Sequence, residues 1–296
     1  MNDLLERLQD ILSDRYRFER ELGRGGMAVV VLAQDVRHQR SVAIKIFRSD
    51  VGDTTGVERF KREIRLLARL QHPHILPLYD SGTTGGTSYF VTPFIEGESL
   101  RQRLRREPQL PIDEAVRLTT EVADALDFAH QRDVVHRDIK PENILLHDGH
   151  AVVADFGIAR AIRRSGAEWT TAAGMAVGSP AYMSPEQASG EREIDGRTDI
   201  YSLASVLYEM LTGRPPFTGP SAQSVIAQRM TVPPRPARSF RMTVPPGLDA
   251  AIAKALERAP DNRHRTAAEF GAALTAPVES ADRRRRWWPF DRPASR

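Results

Sequence analysis

The chain has 296 residues, of which 41% are hydrophobic and 27% charged, as in soluble globular proteins. This length allows one large domain or two lobes with separate cores. The net charge of +3 gives no support to a nucleic-acid-binding protein, and the lack of cysteine excludes disulfides and thiolate metal sites. We expect neither a signal peptide nor a membrane-spanning segment, because no stretch is apolar over the required length.

The first third of the chain predicts a short helix, then strands around a single longer helix. The helix at residues 3–12 would place five apolar side chains on one face: Leu4, Leu5, Leu8, Ile11 and Leu12. Alternation and β-branched residues predict strands in RYRFEREL, MAVVVLAQDV and SVAIKIF, and further strands in ILPLYD and SYFVTPF. Between these two sets, residues 57–70 predict an amphipathic helix with an apolar stripe of Phe60, Ile64, Leu67 and Leu70.

The remainder of the chain is mainly helical in pattern. Helices are predicted at residues 113–131, 199–213, 222–230 and 248–259, and short strands around Val134, Leu145 and Val152. This order predicts an α+β, bilobal fold. Its parts are a flanking helix at 1–14, a small β-rich lobe at 15–97, a larger α-helical lobe at 98–275 and a tail at 276–296.

A glycine-rich loop lies early in the chain, in ELGRGGMAVVVLAQD at residues 21–35. Such loops often bind phosphate. A dinucleotide-binding turn needs a helix directly behind the glycines, whereas the residues after Gly26 predict a strand. The Gly-Lys-Ser/Thr ending of a Walker loop is absent too. The loop therefore fits a phosphate site formed between two strands.

Two charged residues of this first lobe are predicted to form an ion pair. Lys45 ends the apolar strand VAIK, so its stem is expected to be buried and its ammonium to need an anion. Glu63, on the predicted helix at 57–70, is the natural partner. Such a pair would direct the ammonium toward the phosphates of a nucleotide.

The stretch VVHRDIKPENILL at residues 134–146 contains the decisive polar groups. Asp138, Lys140 and Asn143 are spaced so that one loop can present a carboxylate, an ammonium and an amide on one side. Asp155 follows in VADFG, at the end of a predicted strand. Phosphoryl transfer needs positioning, charge neutralisation and a proton acceptor. Asp138 can accept the proton, Lys140 can stabilise the γ-phosphate, and Asn143 and Asp155 offer oxygen ligands that suit Mg²⁺.

The whole ordered set of motifs resembles bacterial Hanks-type serine/threonine protein kinases, from about Tyr16 to Leu274. The motifs are LGRGGMAVV, VAIK, Glu63, HRDIKPEN, DFG, GSPAYMSPE and DIYSL. The resemblance implies a two-lobed fold that binds ATP and Mg²⁺ between the lobes. It also implies transfer of the γ-phosphate to protein Ser/Thr hydroxyls, autophosphorylation, and a role in bacterial signalling.

The resemblance also implies roles for single residues. Lys45 would contact the α- and β-phosphates and pair with Glu63, Asp138 would be the catalytic base assisted by Lys140, and Asn143 and Asp155 would hold the metal. Thr92 corresponds to the gatekeeper. The implied nucleotide-binding set is Leu22, Gly23, Arg24, Gly25, Gly26, Met27, Ala28, Val30, Ala43, Lys45, Thr92, Phe94, Asn143, Leu145 and Asp155. Ala28 replaces the third glycine of the loop, which is expected to weaken ATP binding at most.

Two further relationships follow from the same resemblance. Glu186 is expected to pair with Arg263 in the large lobe. A stack of four side chains is expected to link the lobes: Leu67, Leu78, His136 and Phe156.

The segment from Asp155 to Glu186 is the predicted switch. It contains three hydroxyls, Ser165, Thr170 and Thr171, and a phosphate there would add a charge of about −1.5 to −2 and attract arginines. Thr170 and Thr171 are the predicted autophosphorylation sites. The alternative is that these are solvated loop hydroxyls without a switching role.

The tail DRRRRWWPFDRPASR leaves two interpretations open. Residues 283–290 could contact an anionic membrane surface weakly, at about 1 kcal/mol for each arginine. A solvated tail is the interpretation we favour. We accordingly expect a cytoplasmic protein, with a peripheral position at the inner membrane and transient homodimerisation left open.

Two other functions are alternatives to that of a protein kinase. A non-catalytic kinase-like module is disfavoured because Lys45, Asp138, Asn143 and Asp155 are all present. A small-molecule kinase is disfavoured because GSPAYMSPEQ resembles a peptide-positioning segment.

Overall fold

The computed structural model describes residues 2–25, 28–47, 54–84, 86–156, 180–191 and 193–276. Its first lobe is a five-stranded antiparallel sheet accompanied by two helices. In chain order the elements are α1 (Asn2–Leu12), β1 (Tyr16–Arg24), β2 (Ala28–Asp35), β3 (Arg40–Phe47), α2 (Thr54–Leu67), β4 (Asp80–Thr84) and β5 (Thr87–Pro93). The strand order in the sheet is β1-β2-β3-β5-β4.

The second lobe is mainly helical and contains one small antiparallel sheet. The strands of that sheet are β6 (Glu98–Ser99), β7 (Ile144–His147) and β8 (His150–Val153). The helices are α3 (Leu100–Arg106), α4 (Ile112–His130), α5 (Pro185–Ala188), α6 (Arg197–Thr212), α7 (Ala222–Thr231), α8 (Pro246–Ala255) and α9 (Ala267–Thr275). The predicted α+β, bilobal architecture is therefore confirmed.

The core of the large lobe is built around α6. Every residue of this helix from Thr198 to Thr212 is buried, so it is surrounded by protein on all sides. A helix without a solvent-facing polar side belongs in the interior of a domain. The side chains of α4, α8 and α9 complete the same apolar cluster.

In the small lobe, the two faces of the sheet have different neighbours. On β3 the side chains of Val42, Ile44 and Ile46 are buried, whereas those of Ala43 and Lys45 are partly exposed. Successive strand residues point to opposite faces. The buried face belongs to the cluster that includes Leu8 of α1, so α1 covers one side of the sheet and leaves the other side for the cleft.

The predicted apolar face of α1 is wrong at one position. Leu8 is buried, and Leu5 and Leu12 pack against the same cluster, but Ile11 is 55% exposed. The side chain of Leu4, also predicted for this face, lies outside the described residues. Leu5, Leu8 and Leu12 share a narrow stripe of the helix surface. Ile11 lies about 90° around the helix from the centre of that stripe. A helix packed on a sheet buries only such a stripe.

Some predicted elements have other boundaries or are absent. The strand predicted in ILPLYD begins only at Asp80, because Pro77 lacks an N–H group and residues 74–76 instead bond to Val153 of β8. No strand forms at Val134, whose N–H closes the end of α4 on Ala129 O. The helix predicted at 57–70 occupies Thr54–Leu67, and that predicted at 248–259 ends at Ala255.

Within the described ranges, no helix has both the length and the apolar content that a transmembrane helix needs.

Candidate active site

The glycine loop joins β1 to β2, as predicted. Gly23 lies opposite Val30 in the strand pair, and Gly25 N donates to Ala28 O at 2.9 Å. Ala28 is buried and packs in the cluster between the sheet and α2. Leu22 is partly buried and Arg24 is near the surface, in an ion pair with Glu21. Gly26 and Met27, also predicted for nucleotide binding, lie outside the described residues.

The cleft face of the sheet carries four of the predicted nucleotide-binding side chains. Val30 is paired with Lys45 across β2 and β3, and Ala43 is paired with Thr92 across β3 and β5. Paired residues share a face, and so do residues two apart on one strand. Val30, Ala43, Lys45 and Thr92 therefore line one surface.

The opposite wall of the cleft belongs to the large lobe, close to the segment that joins the lobes. Leu145, another residue predicted to bind the nucleotide, lies there on β7 and is partly buried. Phe94 N, just after β5, donates to Ser41 O at 3.3 Å. A Cβ atom at Gly97 would lie 2.1 Å from Leu146 O, so only glycine allows the connecting segment to approach β7 this closely.

Lys45 reaches across the cleft to the large lobe. Its Nζ lies 2.6 Å from Asp155 Oδ2, and both side chains are less than one-third exposed. The predicted ion pair of Lys45 with Glu63 is not formed: Glu63 is partly buried on α2 and has no ion pair with any cation among the described residues. The burial of Phe60 and Ile64 sets the rotation of α2 and leaves Glu63 beside the buried stripe, beyond ion-pair distance of Lys45.

Asp155 is held in an unusual and charged environment. Its φ of 64° lies in the left-handed region, which costs about 1–3 kcal/mol for a residue other than glycine. Burial alone raises the pKa of the Asp155 carboxyl, but Lys45, His136 and Lys140 together outweigh burial and lower it. The carboxyl is therefore an anion at neutral pH and is directed at cations.

The loop before β7 brings together the three polar groups predicted to share one side. Lys140 Nζ lies 2.6 Å from Asp138 Oδ2. Asn143 Nδ2 donates to Asp138 O at 2.8 Å and to Asp138 Oδ2 at 3.1 Å. The Asp138 side chain remains 35% exposed, so its carboxylate is both fixed by two neighbours and open to a hydroxyl from outside.

One important residue was missed by the sequence analysis. The carboxylate of Asp199, at the start of α6, accepts from His136 N at 2.8 Å and Arg137 N at 2.7 Å, and lies 2.8 Å from His130 Nε2. Burial raises the pKa of Asp199, but these donors and the nearby histidines outweigh it and lower the pKa. The available signal was an acid at the start of DIYSLASVLYEML, a stretch too apolar to face solvent.

The predicted inter-lobe stack lies at the junction of the two cores. The rings of His136 and Phe156 are 4.7 Å apart and edge-on, and His136 Nε2 lies 2.9 Å from Ala154 O. Leu67 packs against both the large-lobe core and the cluster under α2, which also contacts Leu78. Leu67, Leu78 and Phe156 line one small cavity there.

The segment before α5 is tied to the rest of the large lobe. Glu186 pairs with Arg263 through two contacts of 2.7 Å, and both side chains are buried, so the predicted ion pair is confirmed. Gln187 Nε2 donates to Arg137 O at 2.8 Å and connects α5 to the loop before β7. The predicted phosphorylation sites, Ser165, Thr170 and Thr171, lie outside the described residues.

Comparison with known proteins gives concordant results. A family model described as protein kinase domain matches residues 16–270. The chain is 43% identical over 269 residues to the serine/threonine-protein kinase PknB of Mycobacterium leprae, an alignment that covers 89% of this chain and 43% of that protein. The same figures apply to PknB of Mycolicibacterium smegmatis. A protein of Streptomyces coelicolor, named as a serine/threonine-protein kinase, is 40% identical over 271 residues, with coverage of 90% and 40%. The chain spans less than half the length of these curated relatives.

Proposed function

The chain belongs to the protein kinase domain family, and from this premise we propose that it transfers the γ-phosphate of ATP to serine and threonine hydroxyls of proteins. The observation that carries the proposal is that two sets of contacting polar groups are linked to each other. Lys45 of the small lobe touches Asp155 of the large lobe, and Lys140 and Asn143 both contact Asp138. Ala154 N, next to Asp155, donates to Asn143 O at 2.9 Å and so links the two sets. The similarity to serine/threonine-protein kinases of bacteria supports a role in bacterial signalling.

Asp138 is the proposed proton acceptor. The substrate hydroxyl oxygen forms a bond to the γ-phosphorus, the bond from that phosphorus to the β–γ bridging oxygen breaks, and ADP leaves with those electrons. The hydroxyl proton passes to the Asp138 carboxylate. Lys140, 2.6 Å from Asp138 Oδ2, keeps the carboxylate oriented and supplies positive charge beside the transferred phosphoryl group.

The residues present fit a Mg²⁺ ion. Asp155 is an anionic carboxylate that already attracts an ammonium, and no hydrogen bond of the described residues uses Asn143 Oδ1. Carboxylate and amide oxygens are the ligands that Mg²⁺ prefers. Asn143 and Asp155 would hold the ion, which when bound neutralises charge on the phosphates. Lys45 would contact the α- and β-phosphates, and the cleft face of the sheet would cover the adenine.

Substitution of Asp138 and of Lys45 tests the proposed function. We expect Asp138→Asn to reduce phosphate transfer to a generic protein substrate by at least about 100-fold, since a positioned base contributes roughly 10²–10⁴. ATP affinity, measured by titration calorimetry, is expected to change little. Lys45→Met is expected to abolish transfer as well, because it removes the cation for the phosphates.

Asp148→Asn is the matched control for these variants. Asp148 lies in the turn between β7 and β8, its side chain is 87% exposed, and its φ of 49° is one that asparagine tolerates. It should transfer phosphate like the wild type. An Asp138→Asn protein with undiminished transfer would contradict the assignment of the base.

Finer features of the function belong to the same proposal. Autophosphorylation at Thr170 and Thr171 would add negative charge that attracts arginines, and transfer between two copies would need a transient homodimer. Replacing both threonines by alanine should lower activity, and unchanged activity would leave them as solvated hydroxyls. Contact of residues 283–290 with anionic membranes is tested by liposome flotation at low and high salt, with and without residues 282–296.

A further inference from the structure

Arg229 on α7 is buried in the large lobe, with only 2% of its surface exposed. Its Nη2 donates to two consecutive backbone carbonyls, Pro180 O at 2.5 Å and Ala181 O at 3.0 Å. Its guanidinium carbon lies 5.9 Å from the centre of the Tyr201 ring and 5.7 Å from that of Phe217. The side chain therefore links α7 to the segment just before α5.

This burial is costly for a charged group. No carboxylate among the described residues forms an ion pair with Arg229, and its Nε and Nη1 have no hydrogen-bond partner there. Burial lowers the pKa of the Arg229 guanidinium below its ordinary value. Arg263, the other buried arginine near this segment, has Glu186 as a counter-ion and also donates to backbone carbonyls. The groups that offset this cost are the two backbone carbonyls and the side chain of Tyr201.

The two carbonyls held by Arg229 belong to a segment that is linked, through Tyr182, to the loop before β7. Tyr182, the next residue, hydrogen-bonds to Arg101 and to Glu209. Arg101 Nε in turn donates to Glu142 Oε1 at 2.8 Å, and Glu142 lies between Lys140 and Asn143 in the loop. One end of this segment is thus connected to the residues around Asp138, and Arg229 fixes the other end.

We propose that Arg229 is a positioning residue for the protein substrate: it fixes the Pro180–Ala181 backbone relative to Asp138, and this backbone belongs to the motif GSPAYMSPEQ, which resembles a peptide-positioning segment. This inference rests on the proposed kinase function. Without Arg229, two buried carbonyls lose their donor, and the segment loses its fixed position relative to the base. The nucleotide site contains no contact with Arg229 among the described residues, so it is expected to be unaffected.

The test compares Arg229→Met with Arg229→Lys, using a peptide with a single acceptor threonine that the wild-type chain phosphorylates. For Arg229→Met we expect kcat/KM for the peptide to fall about tenfold or more, while the KM for ATP and ATP hydrolysis without peptide stay within about twofold. Arg229→Lys retains a cationic donor and should fall between Arg229→Met and the wild type. A purely structural role would not separate the peptide-dependent rate from the peptide-independent one.

Arg241→Met is the matched control. Arg241 Nη1 also donates to two backbone carbonyls, Leu110 O at 2.7 Å and Leu211 O at 3.3 Å, but these lie away from the segment before α5. Its kcat/KM for the peptide should remain near the wild-type value, with the fold of every variant checked by circular dichroism. If Arg229→Met does not fold, Arg229→Lys alone decides, because peptide kinetics equal to wild type would overturn the inference.

Failure of the inference and failure of the proposed function are distinguishable. A wild-type chain that transfers no phosphate to any protein overturns the proposed function and this inference with it. An active wild type whose Arg229→Met variant keeps the wild-type kcat/KM for the peptide overturns this inference alone. The same holds if peptide transfer and peptide-independent ATP hydrolysis fall by equal factors.

Discussion

Asp199 holds the proposed catalytic loop, residues 136–143, although it is separated from Asp138 by 61 positions in the sequence. Arg137 has a φ of 67°, a strained conformation for an arginine, and its N–H and that of His136 both donate to the Asp199 carboxylate. Hydrogen bonds to a charged group contribute about 1.5–3 kcal/mol each, which offsets a strain of about 1–3 kcal/mol. The proposed base therefore depends on an acid of another helix for its position.

Asp199→Asn is predicted to lower phosphate transfer at least about tenfold, because an amide offers one acceptor oxygen where two backbone N–H groups and His130 now bond a carboxylate. The measurement is initial-rate transfer at saturating ATP. Asp249→Asn is the control, since Asp249 Oδ1 accepts from Ala237 N at 2.8 Å and Arg238 N at 3.4 Å in another part of the lobe. Equal rate losses in the two variants would argue against a specific role of Asp199.

At the level of secondary-structure elements, α1 is part of the small lobe. Its Gln9 side chain accepts from Phe18 N at 2.7 Å, and Leu8 packs on the face of the sheet opposite the cleft. A helix so docked contributes both apolar burial and backbone hydrogen bonds. Helix α1 therefore stabilises the sheet whose strand β3 carries Lys45.

Leu8→Ala is predicted to lower the free energy of unfolding by about 2–5 kcal/mol, through lost burial and the cavity left behind. Ile11→Ala on the same helix removes a side chain that is 55% exposed and should change it by less than about 0.5 kcal/mol. Urea unfolding followed by circular dichroism measures both. Similar losses would contradict docking through Leu8, because alanine is the better helix former and helix propensity cannot explain a loss in either variant.

The buried ion pair of Glu186 on α5 with Arg263, which precedes α9, allows a second prediction about stability. Glu186→Gln leaves the Arg263 charge buried without its counter-ion and should cost about 3–5 kcal/mol of unfolding free energy. The exposed pair of Arg197 with Asp261 provides the comparison, because Asp261→Asn should cost at most about 1 kcal/mol. A Glu186→Gln protein as stable as Asp261→Asn would contradict the role given to burial.

For the whole molecule, the pKa shifts predict loss of stability in acid. The net pKa shifts of Asp155, Glu186 and Asp199 are downward, and burial lowers the pKa of His72 and His264. Each group thus binds fewer protons in the folded chain than in the unfolded one over the range between its two pKa values. The free energy of unfolding should decline as pH falls below about 6.5 for the histidines, and further below about 4.5 for the acids.

Urea unfolding at a series of pH values between 3.5 and 7.5 tests this prediction. The Glu186→Gln variant should show a weaker decline below about pH 4.5 than the wild type, because one of the acids with a lowered pKa is gone. A wild-type stability that increases on acidification from pH 7 to pH 4 would contradict the direction of these shifts.

The sequence by itself determined those features of the fold and of the site that depend on residues close together in the chain. The proximity of Asp138, Lys140 and Asn143 follows from their spacing in one loop, and the strand nature of the glycine-loop flanks follows from local pattern. Motif order identified the family, and with it the Glu186–Arg263 pair, which periodicity alone could not indicate. Backbone geometry repeats over a few residues, so short-range relations can be derived from a pattern.

Only the tertiary structure decided the partners of charged groups that are distant in the chain. Lys45 bonds Asp155 and not Glu63, Asp199 receives the catalytic-loop N–H groups, and Arg229 holds the backbone before Tyr182. Each of these contacts depends on the rotation of a helix or on how the lobes pack, which side-chain packing over the whole core determines. A pattern indicates that a buried charge needs a partner, whereas the three-dimensional arrangement selects which partner lies within 3 Å of it.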